Sequence, residues 1–307
     1  MLSLLEMVVN GVSTRKVKKI TKKLCGESVS KSTVSRLCES LYPVVEDWNQ
    51  RSLEDHEYPV IMLDGFVTKI RHENRVVSKS LMIGIGFRED GYREILGVQV
   101  GHSETYEGWK RFLKWLKDRG IHGVDAVISD DHSGLRKAIE EQFQGCIWQR
   151  CQTHFMRNVL DECPKRHRDA LHSQLKDALG APNKEEARRR KEQLMEEFKG
   201  KAPKALRILD ENFEDAIAVL CMPQKYQKKF RTTNMIERLN EELRRRERVI
   251  RIFPNEHSAL RLAGAVLMEI HEDWITGVRC PRMEKYHEWK EAIQTENDEP
   301  SSEVKAA

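Results

Sequence analysis

The spacing of apolar residues along this chain changes period twice. Val17, Ile20 and Leu24 recur at helical intervals among lysines over 14–24, and Gly26 then interrupts the pattern. Val34, Leu37 and Leu41 resume it behind Ser30 and Ser32, either of which can cap a second helix. From residue 60 the pattern becomes that of strands: 60–64, 80–87 and 94–101, the last two separated by the turn residues Glu89, Asp90 and Gly91. Trp109, Phe112, Leu113 and Leu116 then fall at i, i+3, i+4 and i+7, predicting a helix over 105–119 that Gly120 ends. A fourth strand follows at 126–129, a helix from 133 carrying Leu135, Ala138, Ile139 and Phe143, and a fifth strand at 146–150. Three hairpin-linked strands followed by alternating helix and strand predict a mixed α/β sheet with helices on its faces.

Beyond Cys151 the strand signals stop. The stretch to 226 is helical, dense in charge and punctuated by Pro164, Pro182, Pro203 and Pro223, the pattern of an all-α insertion. Within it, 184–201 alternates charge like a solvated helix. Helices resume near Asn234, that over 259–274 is apolar enough to be buried, and the polar tail over 291–307 is expected to be disordered.

The chain has 307 residues, 39% hydrophobic and 33% charged, with a net charge of +4. So small a net charge means that any nucleic-acid surface must come from local clustering of basic residues. Seven cysteines at irregular intervals are expected to be reduced thiols. The N-terminus has no basic leader region or cleavage motif, and no apolar run approaches the roughly 18 residues that span a bilayer. The expectation is a soluble cytoplasmic protein with no membrane partner.

The first strand ends in Asp64 beside Gly65, and the fourth runs into Asp130 and Asp131. Glu237 lies in the first turn of a basic helical segment. Hydrolysis of a phosphodiester by two metal ions requires hard oxygen ligands holding the ions about 4 Å apart, and carboxylates on a rigid sheet meet that need. Asp64, Asp130 and Glu237 are therefore the candidate ligands for two Mg²⁺ or Mn²⁺ ions. Plainer readings accompany each: a turn acid for Asp64, a capping or supporting role for Asp131, and a capping box formed by Asn234 with Glu237. Cys151, His154, Cys163 and His167 have the spacing of a short zinc site.

Basic residues cluster in two places. The paired helices near the N-terminus have the pattern of a helix-turn-helix, with Lys31, Ser32, Ser35 and Arg36 on the second helix suited to phosphates and base edges. Over 225–251, Lys228, Lys229, Arg231, Arg238, Arg244 and Arg245 surround Glu237 as a phosphate track would, although interspersed glutamates also fit a salt-bridged helix face.

The blocks LDG (63–65), SDDHSGL (129–135), CQTH (151–154) and TTNMIERLN (232–240), in this order, resemble bacterial insertion-sequence transposases of the Mutator type, as do 11–37, 91–101 and 103–120. The resemblance covers nearly all of the chain to about residue 290. It implies a ribonuclease-H-like mixed sheet flanked by helices, interrupted by an all-α insertion, with a helix-turn-helix before it. The implied boundaries are 1–50 for the DNA-binding region, 51–150 and 227–290 for the two parts of the catalytic domain, and 151–226 for the insertion. It also implies that Asp64, Asp130 and Glu237 are a catalytic triad and that His154 lies near the reacting phosphate. The implied activity is Mg²⁺-dependent cleavage of transposon ends and strand transfer. The implied partners are double-stranded DNA (terminal inverted repeats and target) and further copies of the chain, in a bacterial nucleoid. Two departures stand out: the N-terminus is shorter than is usual in the family, as if truncated, and Asp131 occupies a position expected to hold a smaller or variable residue. A nuclease without strand transfer and a non-catalytic DNA-binding regulator fit the same residues.

Overall fold

A computed structural model of the protein describes residues 2–26, 29–101 and 104–298, which form two compact units. Of the described residues, those up to 88, 93–148 and 233–278 make up the first, and 89–92, 149–232 and those from 279 onward make up the second.

The first unit begins with four helices, α1 (Leu2–Val9), α2 (Thr14–Cys25), α3 (Lys31–Glu39) and α4 (Leu41–Asn49). Ser13 caps α2, Gly26 closes it in the left-handed conformation, and Ser30 rather than Ser32 caps α3 by accepting from the Thr33 amide. Helix α4, which the apolar spacing of the sequence does not mark as a separate element, forms with Val45 and Asn49 buried. Strands β1 (Val60–His72), β2 (Arg75–Phe87) and β3 (Arg93–Gly101) form an antiparallel meander. Next come α5 (Tyr106–Asp118), β4 (Ala126–Ser129), α6 (Ser133–Gln142) and β5 (Ile147–Arg150), in which the chain passes to the second unit. The sheet order is β3-β2-β1-β4-β5, with β4 parallel to β1. Nine consecutive buried residues end β2, as expected of a strand covered on both faces. Ile61, Leu63, Met82, Leu96 and Val127 pack against Trp109, Phe112, Leu113, Leu135 and Ile139 of α5 and α6. The mixed α/β sheet flanked by helices is thus present.

One expectation falls short. Strand β1 runs eight residues past Asp64, into a hairpin whose turn places Glu73 and Asn74 at φ values of 46° and 60°. Two successive positive φ angles match the twist of a tight hairpin, but without glycine the turn leaves no obvious mark in the sequence.

The second unit is all-α: α7 (Gln152–Asp161), α8 (Lys165–Leu179), α9 (Lys184–Phe198), α10 (Pro203–Ala216), a 3-10 turn at Ala218–Cys221, and α11 (Gln224–Phe230). Phe155, Leu171, Leu175, Leu194, Leu209 and Phe213 are among its core residues. Helix α9 is not solvated all round, since Ala187, Leu194 and Phe198 are buried while Arg189 and Arg190 pair with Glu186. Helices α12 (Asn234–Ile250) and α13 (Glu256–Thr276) return the chain to the first unit, and α14 (Glu284–Asp298) belongs to the second. Residues 291–298, expected in a disordered tail, are helical, and 299–307 lie outside the described residues. The segment after 278 also groups with the all-α unit rather than with the sheet.

The open edge of β3 is closed by side chains. Asn49 of α4 both donates to and accepts from the Val98 backbone, at 2.8 and 2.9 Å. Arg119 donates to the Leu96 carbonyl at 2.7 Å, Arg51 donates to the Ile95 carbonyl, and the Ile95 amide donates to His271 Nδ1 at 3.3 Å. These bonds satisfy backbone groups that would otherwise template pairing with another chain. His271 of α13 is 6% exposed, and burial, helped by the nearby Arg51 charge, lowers its pKa from 6.5 to about 4 despite Glu94 at 3.8 Å.

The folded protein therefore keeps His271 neutral where the unfolded chain would protonate it. Stability present above pH 6.5 is expected to be lost as pH falls from 6.5 to 4, by up to about 3 kcal/mol from this group. His271→Gln should flatten that part of the pH dependence, as read by urea denaturation at pH 7, 6, 5 and 4.5.

Candidate active site

The geometry of the site starts from a register. Val60, Ile61 and Met62 of β1 pair with Ala126, Val127 and Ile128 of β4. The same offset carried two residues further sets Asp64 opposite Asp130. Neighbouring strands lie about 4.8 Å apart, so two carboxylates leave adjacent backbones at the carboxyl ends of the parallel pair. Asp64 continues as β-strand while Asp130 has already left β4 for the loop before α6.

Local contacts hold each acid. The Gly65 amide donates to Asp64 Oδ1 at 2.8 Å, and Asn240 Nδ2 donates to Asp64 Oδ2 at 2.8 Å. Glu104 packs closely over Gly65: a Cβ there would stand 3.2 Å from Glu104 Oε1, itself 2.9 Å from the Ser80 hydroxyl, so a larger residue would have to displace that side chain by a few tenths of an ångström. The Asp131 amide donates to Asp130 Oδ1 at 2.7 Å. Trp148 Nε1 donates to the Ser129 hydroxyl, which donates onward to the Asp130 carbonyl, each at 2.9 Å. Gly134 lets the first turn of α6 lie against α5, since a Cβ would meet the Tyr106 nitrogen at 2.5 Å. Asp131 does not cap α6; the N-cap is His132, which makes no side-chain capping bond.

Glu237 lies one turn before Asn240 on α12, so the two share a helix face. The capping box of Asn234 with Glu237 does not form: Thr233 is the N-cap, Asn234 is already helical, and Glu237 Oε1 accepts from the Thr233 hydroxyl at 2.9 Å. Asp64, Asp130 and Glu237 thus belong to one unit, two by strand register and the third through the helix that contacts Asp64. Among the described residues their ligand atoms do not all come within 4.8 Å of one another.

Asn240 was not singled out by sequence reasoning. It is 6% exposed, and its Oδ1 is buried with no hydrogen-bond partner among the described residues while Nδ2 holds Asp64. A buried amide oxygen without a donor is costly unless something else satisfies it. His132, in the Asp130 loop, likewise has a buried Nδ1 without a partner. The helical interval of three from Glu237 to Asn240 was the available signal.

The cationic candidates divide by role. On α12, Arg238, Arg244 and Arg245 are exposed. Arg244 stacks over the Phe66 ring at 5.1 Å. Arg245 and Arg246 bind Glu242 and, with its hydrogen bonds to both, hold that carboxyl at about 2. Arg246 is buried and donates to the Val9 carbonyl at 2.7 Å, so it ties α1 to α12. Lys31, Ser32, Ser35 and Arg36 are exposed on α3, with the Ser32 hydroxyl 2.8 Å from that of Ser30. Lys228, Lys229 and Arg231 lie in the second unit, where Lys229 Nζ meets Cys280 Sγ and the Arg231 carbonyl accepts from the Gln152 amide at 2.9 Å. His154 sits in the first turn of α7, also in the second unit. The zinc spacing is not realised: no three of Cys151, His154, Cys163 and His167 bring ligand atoms within 4.8 Å. Cys163 is instead buried, and the His167 ring lies edge-on to Phe198 at 6.4 Å.

No helix among the described residues is long and apolar enough to cross a membrane. Comparison with known proteins gives the family of the chain. The Mutator family of transposases matches residues 1–277. The chain is 46% identical over 281 residues to the transposase for insertion sequence element IS256 in transposon Tn4001 of Staphylococcus aureus, covering 91% of this chain and 72% of the relative. It is 39% identical over 288 residues to the transposase for insertion sequence element ISRM5 of Rhizobium meliloti, covering 94% and 72%. It is 35% identical over 293 residues to the transposase for insertion sequence element IS1081 of Mycobacterium tuberculosis, covering 95% and 70%. With a match across nine-tenths of its length, the chain belongs to the Mutator family of transposases.

Proposed function

We propose that this transposase works by the three-carboxylate, two-metal route on a ribonuclease-H-like sheet, cleaving DNA at the ends of an element and joining the freed 3′ ends to target DNA. The observation that carries the reading is the shared register of Asp64 and Asp130 together with the Asn240–Asp64 hydrogen bond, which brings the Glu237 face of α12 to the same strand.

The donors fit the metal. All three are carboxylates, hard oxygen ligands suited to Mg²⁺ or Mn²⁺, and the partnerless Asn240 Oδ1 is a further oxygen acceptor beside Asp64. Bound there, two such ions would supply activation of the attacking oxygen and stabilisation of the departing one. The chain's own part is to fix the carboxylates: Gly65 and Asn240 orient Asp64, the Asp131 amide orients Asp130, and Thr233 orients Glu237. Support of this kind sets how well a first ligand performs.

DNA would be held by basic surface residues. Lys31, Ser32, Ser35 and Arg36 on α3 fit the recognition side of a helix-turn-helix with α2. Arg238 and Arg244 follow Glu237 on α12, and Lys228, Lys229 and Arg231 offer further positive charge from the second unit. His154 is assigned to the neighbourhood of the reacting phosphate on its place in the CQTH block. Two ends must be processed together, so the working form is a homodimer or larger assembly on terminal inverted repeats in the bacterial nucleoid.

Asp64→Asn, Asp130→Asn and Glu237→Gln should each reduce cleavage of a labelled inverted-repeat duplex about 10³-fold or more while leaving the far-UV spectrum unchanged. With a pre-cleaved end and target duplex in Mg²⁺, a joined product is expected. Hydrolysis without joining would favour a nuclease, and full activity in all three variants would leave only a DNA-binding protein.

Asn240→Ala should weaken Mn²⁺ binding by about tenfold, the usual scale for losing a group that orients a ligand, as read by titration calorimetry. Unchanged Mn²⁺ affinity with an intact fold would remove Asn240 from the site.

A further inference from the structure

Strands β1 and β2 pair without a break from Val60↔Phe87 to His72↔Arg75. Their neighbours stop much earlier: β4 pairs with β1 only at Val60–Met62, and β3 pairs with β2 only from Ser80 inward. The outer residues, 68–79, are therefore a two-stranded ribbon extending past the end of the sheet that carries Asp64. Arg71 is seven residues beyond Asp64 on the same strand, about 23 Å at the usual rise.

The ribbon is braced on one side. Thr68 donates to Glu247 of α12, and Ile70 is buried with Phe253 and Ala259. The Arg71 amide donates to the Phe253 carbonyl at 2.8 Å, and the Phe253 amide donates to the Lys69 carbonyl at 2.9 Å. Lys79 is committed to this side too, 3% exposed and 2.9 Å from Glu256. The opposite side is open. Val67, Lys69 and Arg71 alternate along it, with Ser78 and Val76 across the strand pair, and all five are exposed; Arg75, opposite His72, is exposed at the tip on the other face. Lys69, Arg71 and Arg75 have no ion-pair partner among the described residues, and the only acid on the ribbon, Glu73, lies 3.9 Å from His72.

We propose that this ribbon is an arm that holds the phosphate backbone of duplex DNA, with Lys69, Arg71 and Arg75 as its contacts. A two-stranded ribbon fits the width of the major groove, and unpaired cations at alternate positions meet phosphates without displacing internal partners. The arm has no Phe, Tyr or Trp on which single-stranded bases could stack, and its one ring, His72, stands beside Glu73. Its stiffness matters as much as its charge: braced by α12 and Phe253, it holds its cations at a fixed distance from Asp64. A duplex seated at the carboxylates would reach the arm within one helical turn, about 34 Å. The proposal rests on DNA being the substrate, but not on the metal chemistry.

The test is binding of a labelled duplex to the full chain across a salt series. The triple variant Lys69→Ala, Arg71→Ala, Arg75→Ala changes only exposed side chains and should keep the wild-type melting temperature. Its affinity near 0.1 M salt is expected to fall tenfold or more, and the slope of log K against log salt to shrink by about 2 to 3, near 0.9 per lost phosphate contact. The charge-preserving variant Lys69→Arg, Arg71→Lys, Arg75→Lys should bind as wild type does. All of these measurements are made in EDTA, so that a shallower slope reports the arm alone and separates its failure from failure of the carboxylate reading. An unchanged slope in the alanine variant would overturn the proposal, as would binding to anionic vesicles or single strands that exceeds duplex binding and is lost with the same three residues.

Discussion

Strands β1 and β4 pair over only three residues, yet that short parallel ladder fixes the relation on which the candidate site depends. A parallel register is all-or-none in its consequences. A slip by one residue would turn Asp130 to the other face and expose Val127, which is completely buried against α5 and α6. The apolar alternation that makes the core therefore also determines which face the two aspartates share. Placing chemical groups two residues beyond the last position paired between β1 and β4 gives them the precision of the sheet at the point where that pair of strands parts. Asp64 and Asp130 are both half-buried, one in a strand that carries on and one in a loop that turns away.

The third acid is attached by different means. Helix α12 meets β1 at successive points: Asn240 at Asp64, Arg244 over Phe66, and Glu247 at Thr68, before Phe253 reaches Ile70 beyond the helix. The helix and strand advance together, so the position of Glu237 follows from contacts distributed along both. This also explains why a run of arginines so near the acids does not act as one surface. Arg246 is consumed by α1 and Glu242, and Arg245 by Glu242, leaving fewer free cations than the composition of 225–251 implies, while Arg244 keeps its charge exposed over the Phe66 ring. Local charge density is a poor guide where helical periodicity turns every third or fourth residue inward, as it does Arg246.

That difference shows what was legible in the amino-acid sequence. Ala126–Ser129 and the start of α6 were readable because a short apolar run meets acids and then a helical repeat, with tertiary structure adding little. The acids themselves were readable from the same transitions and from the resemblance. Three features were not. Helix α4 shows no regular apolar period, since only Val45 and Asn49 are buried in it and Asn49 acts by bonding a strand edge. The outer hairpin is exposed on one face and turns without glycine, so it resembles a loop. Asn240 is a single amide whose importance comes from a residue 176 positions away. Each depends on a partner distant in the chain, which no local period can announce. The zinc spacing erred in the opposite direction: of four potential ligands at suitable intervals, Cys151 and His154 come within 4.8 Å of each other, but Cys163 went into the core and the His167 ring turned to Phe198.

The two edges of the meander are treated in opposite ways, and the contrast bears on how the molecule could engage a long substrate. Edge strand β3 is closed by Asn49, Arg51, Arg119 and His271, groups drawn from α4, α13 and the end of α5, so the N-terminal helices are bound to the sheet through buried polar bonds. Such bonds have a strict geometry and leave costly unsatisfied groups if the helices shift, so they resist sliding more than apolar packing would. At the other extreme, the β1–β2 ribbon is left open on one face and stiffened on the other. Helices α2 and α3 are carried by the same unit as that ribbon and the carboxylates. A duplex bound by the helices, the arm and the acids would therefore be held by elements of one compact body. Recognition and chemistry would be coupled through backbone hydrogen bonds rather than through a flexible linker.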